Sequence, residues 1–173
     1  ARGGLDWDAS HAHLRDTIAA IAPHDSVERF EGLGVTVLKG FGSFTGPRAL
    51  RVGEDTVRAR RFVIATGSRA FVPPIPGLAQ TPLLTNETIF SLSEQPRHLL
   101  ILGAGAIGLE MADAHRALGC EVTVVEADRA LLREDPEAAA LVVQSLRARG
   151  VRIEEQMRVA RVREAGDGVA LIA

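Results

Sequence analysis

Ile101-Leu102-Gly103-Ala104-Gly105-Ala106-Ile107-Gly108-Leu109-Glu110 is the stretch of this 173-residue chain whose reading decides the fold. It begins in an apolar run of strand length, His98 to Leu102, and is followed by Ile107, Met111, Ala114 and Leu118 at helical spacing. The glycines therefore fall at a strand-to-helix turn. Gly103 permits the tight turn. Gly105 lets backbone approach a pyrophosphate resting on the positive end of the helix, and Gly108 allows helix and strand to pack closely. Gly119 stops the helix, Glu121 to Val125 forms the next strand, and Glu126 follows, roughly twenty positions beyond Gly103. A carboxylate there accepts both hydroxyls of an adenosine ribose and repels a 2′-phosphate, which predicts NAD over NADP; Arg129 lies close enough to complicate that choice. Such a turn can also join strand to helix with no ligand, but the flanking elements and the acid favour the dinucleotide reading.

Downstream, Asp135-Pro136 opens a second helix, with proline at the first turn where its missing N–H costs nothing. Ala138, Leu141, Val142, Ser145 and Leu146 are expected to face inward on it. Gly150 ends it, Val151 to Ile153 is a third strand, and Met157 to Arg163 and Val169 to Ile172 read as further strands. Strand–helix–strand–helix–strand order predicts an α/β fold with a parallel sheet and right-handed crossovers.

Upstream, Gln95-Pro96 marks a boundary, and Thr85-Asn86-Glu87 can cap a short helix through Leu92. Val72-Pro73-Pro74-Ile75-Pro76-Gly77 reads as an extended linker, because three prolines remove amide donors and fix φ. At the amino-terminal end, Trp7, Leu14, Ile18 and Ile21 lie along one helical stripe that Pro23 ends. Asp25 and Glu28 suggest a capping box for a helix through Phe30. Val35 to Lys39 is then expected to be a strand and Gly40 to Phe44 a glycine-rich connection. Ala49 to Val52, Thr56 to Ala59 and Arg61 to Ala65 are further β-like stretches.

Composition narrows the function. Hydrophobic residues make up 46% and charged ones 24%, the balance of a globular protein rather than a disordered tail. No apolar run approaches the ~18 residues needed to cross a bilayer, and no secretory signal is visible. A net charge of −2 and the lack of any tyrosine argue against nucleic acid as a partner. One cysteine, Cys120, excludes an internal disulfide and a multi-cysteine metal site. His11, His13, His24, His98 and His115 form no metal-ligating spacing, so no metal is expected. Ser26 and Ser68 lack a visible His–Asp partner set, Cys120 reads as a small core residue, and Arg58, Arg60 and Arg61 as a solvated face.

Ala65-Thr66-Gly67-Ser68 followed by Val72 to Gly77 resembles the segment leading out of the flavin domain in pyridine nucleotide–disulfide oxidoreductases. Ile101 to Glu110 is similar to that family's nicotinamide-dinucleotide motif, and Ala22-Pro23-His24-Asp25-Ser26-Val27-Glu28-Arg29-Phe30 resembles its dihydrolipoamide dehydrogenase and mercuric reductase branch. The resemblance covers nearly the whole chain. It implies part of an FAD-binding domain over residues 1–77, a linker with a short helix over 78–97, and a Rossmann-type NAD-binding domain over 98–173. It places Gly42 near the flavin adenine, with Thr66, Gly67 and Ser68 lining the FAD. Gly103, Ala104, Gly105, Ala106, Ile107, Gly108 and Glu126 would hold NAD, and Val159 would lie against its adenine. Glu110 would sit near the meeting point of nicotinamide and flavin as a catalytic residue.

The family's first dinucleotide motif, its redox cysteine pair and its dimerisation domain with the catalytic histidine match nothing here. The expectation is an internal piece of a longer FAD- and NAD-dependent enzyme, cytoplasmic and homodimeric when whole. It would be unable to run dithiol–disulfide chemistry alone and would not retain FAD. The alternatives are a flavin NADH oxidase of the same architecture without a redox disulfide, and a non-enzymatic nucleotide-sensing module. A yellow full-length homologue would separate the enzymes from the sensor.

Overall fold

The computed structural model describes residues 6–173. Two compact units divide them, one built of residues 12–69 and the other of residues 6–11 and 70–173.

Helix α1 (Trp7–Ile21) forms where its period predicts, but among its apolar residues only Trp7 is buried, while Ile18 and Ile21 are half exposed. Pro23 lies in a one-turn 3-10 helix, Ala22–Asp25. Helix α2 (Val27–Gly32) is capped by Ser26, whose hydroxyl accepts the Arg29 N–H at 3.1 Å. The cap falls one residue beyond the expected Asp25 because the 3-10 turn already includes that aspartate.

Strands β1 (Gly42–Gly46), β2 (Ala49–Val52) and β3 (Asp55–Arg58) make an antiparallel meander. β1 replaces the expected glycine-rich connection. Tight pairing with β2 overrides weak strand propensity here, and Gly42 stands opposite Val52. The strands expected at Val35–Lys39 and Arg61–Ala65 do not form. Their residue types suit a strand, but a strand exists only as a ladder, and no described segment pairs with either one. Val63 is 92% exposed, and the second segment is fastened through Phe62, whose ring meets Phe44 edge-on at 5.0 Å.

In the larger unit, β4 (His98–Leu102), β5 (Glu121–Val125) and β6 (Arg152–Glu154) form a parallel sheet with β5 in the middle. Helices α3 (Ala106–Ala117) and α4 (Pro136–Ala148) make the crossovers. Leu99 pairs with Val122, and Val124 with Ile153. Val122 to Val125 are all buried, as expected of a central parallel strand covered on both faces.

The helix faces differ from the hydropathy reading. α3 buries Leu109, Ala112 and His115; of the expected stripe, Met111 and Leu118 are partly buried against the same core, while Ile107 and Ala114 are exposed. α4 buries Ala139, Val143 and Leu146, and of the expected set only Leu146 is inside, with Leu141 63% exposed. Close approach to the sheet selects small groups at the contact: Ala112 is completely buried, and a Cβ on Gly108 would overlap the Gly103 carbonyl oxygen. The bulkier Ile107 and Leu141 are left on the outer faces.

β7 (Arg161–Ala165) and β8 (Gly168–Ile172) form an antiparallel hairpin. The Val162 N–H donates to Pro76 O at 2.8 Å, and Gly77, at φ +85°, fits where a Cβ would overlap Val162 O. The proline-rich segment is thus an irregular strap fastened to β7. The expected helix after Thr85 is a turn and a single 3-10 turn, Ile89–Ser91.

Candidate functional site

The β4–α3 turn is built by three glycines, each for its own reason. Gly103 takes φ +104°, a conformation that L side chains rarely adopt, and its N–H is anchored to Val125 O at 2.9 Å. Gly108 has no room for a Cβ. Gly105 is the N-cap of α3 and supplies no side chain to the first-turn amides, and a Cβ there would meet nothing within 4 Å. The difference from α4 is direct: Asp135 Oδ1 accepts the N–H groups of Glu137 and Ala138 at 3.0 Å each. The helix end at Gly105 is thus open, lacks a side-chain cap and carries the positive end of the α3 dipole, the features an anionic phosphate requires.

Glu126 stands beside this turn at the end of β5. Its Oε2 accepts the Ala104 N–H at 2.8 Å, and its Oε1 accepts the Asp128 N–H at 3.0 Å. Each carboxylate oxygen has a second lone pair, so the side chain can still accept a ribose hydroxyl. Arg129 is exposed in the loop that follows. That loop is tied down from several sides. Glu155 Oε1 accepts the Ala130 N–H at 2.8 Å while its Oε2 pairs with Arg147 at 2.9 Å. Gln156 N–H donates to Asp128 O at 3.0 Å, and Met157 N–H to Glu126 O at 2.9 Å. Leu131, at φ +51°, donates its N–H to Ala104 O at 2.9 Å. Sequence reasoning missed Leu131 and Glu155, and neither residue type at its position signals the role.

The structure thus brings Gly103, Ala104, Gly105, Ala106, Ile107, Gly108 and Glu126 to one place. Val159 is half-buried between β6 and β7, a few residues beyond the anchored Gln156 and Met157. Glu110 is exposed on α3 and lines a shallow groove of about 470 Å³ with Leu141 and Val142 of α4. In the smaller unit, Gly42 lies in β1, where an added Cβ would touch the end of the Leu50 side chain at 3.2 Å. Thr66, Gly67 and Ser68 are exposed in irregular chain; Gly67, at φ +66° with open space over it, leaves room for a ligand. A cavity of about 860 Å³ in the same unit is lined by Lys39, Gly40 and Phe41 and by none of these four residues. The open cradle at Gly105 fits a dinucleotide, whereas the residues assigned to FAD build no comparable cradle among the described residues.

Cys120 is buried, and burial pushes its thiol above the ordinary range, opposed by the Gln95 side chain at 3.8 Å and by Arg116. Among the described residues no cluster of His, Cys, Asp and Glu could hold a metal, and no helix is long and apolar enough to cross a membrane.

Residues 10–173 match the pyridine nucleotide-disulphide oxidoreductase family. The chain is 30% identical over 172 residues to the mercuric reductase of Bacillus cereus, covering 95% of this chain and 27% of that protein. It is 34% identical over 139 residues to chloroplastic dihydrolipoyl dehydrogenase 2 of Arabidopsis thaliana, covering 80% and 24%. Among solved structures, the HOCl-induced flavoprotein disulfide reductase RclA of Escherichia coli superposes with a TM-score of 0.83 at 30% identity, covering 98% of this chain and 40% of RclA. The chain spans 27% of the Bacillus protein's length and 40% of RclA's.

Proposed function

The chain belongs to the pyridine nucleotide-disulphide oxidoreductase family, and from that premise we propose that residues 98–173 bind a nicotinamide dinucleotide, with NADH preferred over NADPH. What supports this is the conjunction at one turn of an open helix end at Gly105, a positive-φ Gly103 and the Glu126 carboxylate. The amides of the first turn of α3 would hold the pyrophosphate and Glu126 the adenosine ribose. Val159 would lie toward the adenine. When bound, the nicotinamide supplies a hydride, and Glu110, exposed on α3, would face the reacting end.

For the whole protein we propose an FAD-dependent oxidoreductase that passes a hydride from NAD(P)H to flavin and on to a disulfide or similar acceptor. In that enzyme residues 1–77 would belong to the FAD domain, through Gly42, Thr66, Gly67 and Ser68, and residues 78–97 would link it to the nicotinamide domain. A cytoplasmic homodimer is its expected setting on the family resemblance alone.

Calorimetric titration of this chain with NADH and NADPH tests the reading. The expected result is saturable binding of NADH at least about tenfold tighter than NADPH, the size of one charge-assisted contact. Equal affinities would defeat the preference, and no binding of either would defeat the site.

A further inference from the structure

We propose that Glu126 is a positioning residue for the pyrophosphate turn as well as an acceptor for the ribose, so that one carboxylate sets both the choice of nucleotide and the shape of the cradle. The proposal rests on the dinucleotide reading above and deepens it.

The geometry is a clasp on one peptide residue. Ala104 lies between the glycine that makes the turn and the glycine that opens the helix. Its N–H goes to Glu126 Oε2 at 2.8 Å, and its carbonyl accepts the Leu131 N–H at 2.9 Å. Both partners come from the loop after β5. Ala104 is completely buried, so its N–H has no water to turn to. Removing the carboxylate orphans a buried donor, which is more costly than losing an exposed bond. Water entering the space left by the side chain can hydrate that amide but cannot tether the turn to the loop after β5, so the first-turn amides of α3 lose their fixed position.

A carboxylate acting only at the ribose makes a different forecast. Its removal would weaken NADH and relieve the repulsion of a 2′-phosphate, so NADPH binding would hold or rise. A carboxylate that also shapes the turn makes Glu126→Ala weaken both nucleotides, because they share the pyrophosphate. Glu126→Gln discriminates further. Its one amide oxygen can still accept the Ala104 N–H, with the exposed Asp128 N–H left to water, while the negative charge is gone.

The test uses the whole chain and its Glu126→Ala, Glu126→Gln and Glu126→Asp variants. The first readout is hydrogen exchange of the Ala104 amide by NMR without nucleotide. We expect exchange about tenfold or more faster in Glu126→Ala, and protection close to that of the unmutated chain in Glu126→Gln. The second readout is calorimetric affinity for NADH and NADPH. Glu126→Ala should lose roughly tenfold or more for both, while Glu126→Gln gains NADPH affinity. If Glu126→Ala fails to fold, Glu126→Asp decides. It keeps the charge but is one methylene short of Ala104, and it should show fast Ala104 exchange and weakened binding of both. Unchanged Ala104 exchange in the shortened side chain, or NADPH binding that holds in Glu126→Ala, overturns the proposal. If the unmutated chain binds neither nucleotide, the dinucleotide reading fails, and the exchange readout still decides whether the clasp exists.

Discussion

Two alanine substitutions a single turn apart, Gly105→Ala and Gly108→Ala, should separate binding from stability. An ideal Cβ on Gly108 overlaps the Gly103 carbonyl oxygen and would stand 3.3 Å from the carbonyl carbon and 3.4 Å from Ile101 Cγ2. Against an ordinary C···O separation of roughly 3.3 Å, the carbonyl must retreat by about 1 Å. It cannot do so freely. Gly103 is held at φ +104° and by its N–H to Val125 O. Overpacking of this kind costs about 1–3 kcal/mol, and a backbone clash belongs at the upper end. For a unit of this size each kcal/mol lowers Tm by roughly 4–8 °C, so Gly108→Ala, at about 3 kcal/mol, should melt roughly 12–24 °C lower. Gly105 differs in every respect. Its backbone, at φ −78° and ψ 179°, suits any residue, and its Cβ would meet nothing within 4 Å. Gly105→Ala should therefore keep Tm, or raise it slightly by restricting the unfolded chain, by about 0.4–1 kcal/mol. Its methyl occupies the space in which a pyrophosphate approaches the backbone, so NADH affinity should fall at least about tenfold. Differential scanning fluorimetry and calorimetric titration read the two quantities independently. Gly105→Ala binding NADH within about twofold of the unmutated chain would remove the phosphate from this turn. Equal melting of Gly108→Ala and the unmutated chain would refute the packing argument.

Asp135→Ala should destabilise the larger unit by about 1 kcal/mol, because one carboxylate oxygen satisfies both the Glu137 and Ala138 amides, and thermal unfolding checks it. Burial raises the Cys120 thiol, so its contribution to stability is fully present below the unfolded-state thiol pKa and is lost as pH climbs through the higher native value. Ellman's reagent at pH 8 should react with the native chain far more slowly than with the unfolded one, and equal rates would contradict the burial. Hydrogen exchange should be fast across residues 61–65, which have no ladder partner among the described residues, and slow in β5; protection of Arg61–Ala65 in the monomer would mean that segment pairs after all.

What could be read in advance followed from how local the determining interactions are. The β4–α3 turn, its glycines and the acid after β5 were legible because each depends on its own backbone conformation or on a fixed offset along the chain. The strands at Val35–Lys39 and Arg61–Ala65 were misread because residue type only permits a strand, whereas pairing makes one, and pairing is non-local. β1 was missed for the converse reason: Gly42–Gly46 has poor propensity but a close antiparallel neighbour. On α3, hydropathy ranks Ile107 above Ala112, while close contact with the sheet beside Gly108 rewards the smaller side chain; on α4, Ala139 is buried and Leu141 is left 63% exposed.

The least legible part of the site is also what holds it together. Leu131 contributes a backbone N–H from a left-handed conformation that favours glycine, and Glu155 reaches a backbone amide 25 residues away. Neither bond has a residue-type signature, because the partner on one side is main chain. Glu126 could be found only through its expected task at the ribose, and its bond to Ala104 was invisible for the same reason. A turn whose glycines are readable is therefore braced by a loop whose side chains are not. Substitutions in residues 126–131, or at Glu155, should then alter nucleotide binding without touching a single residue of the glycine motif.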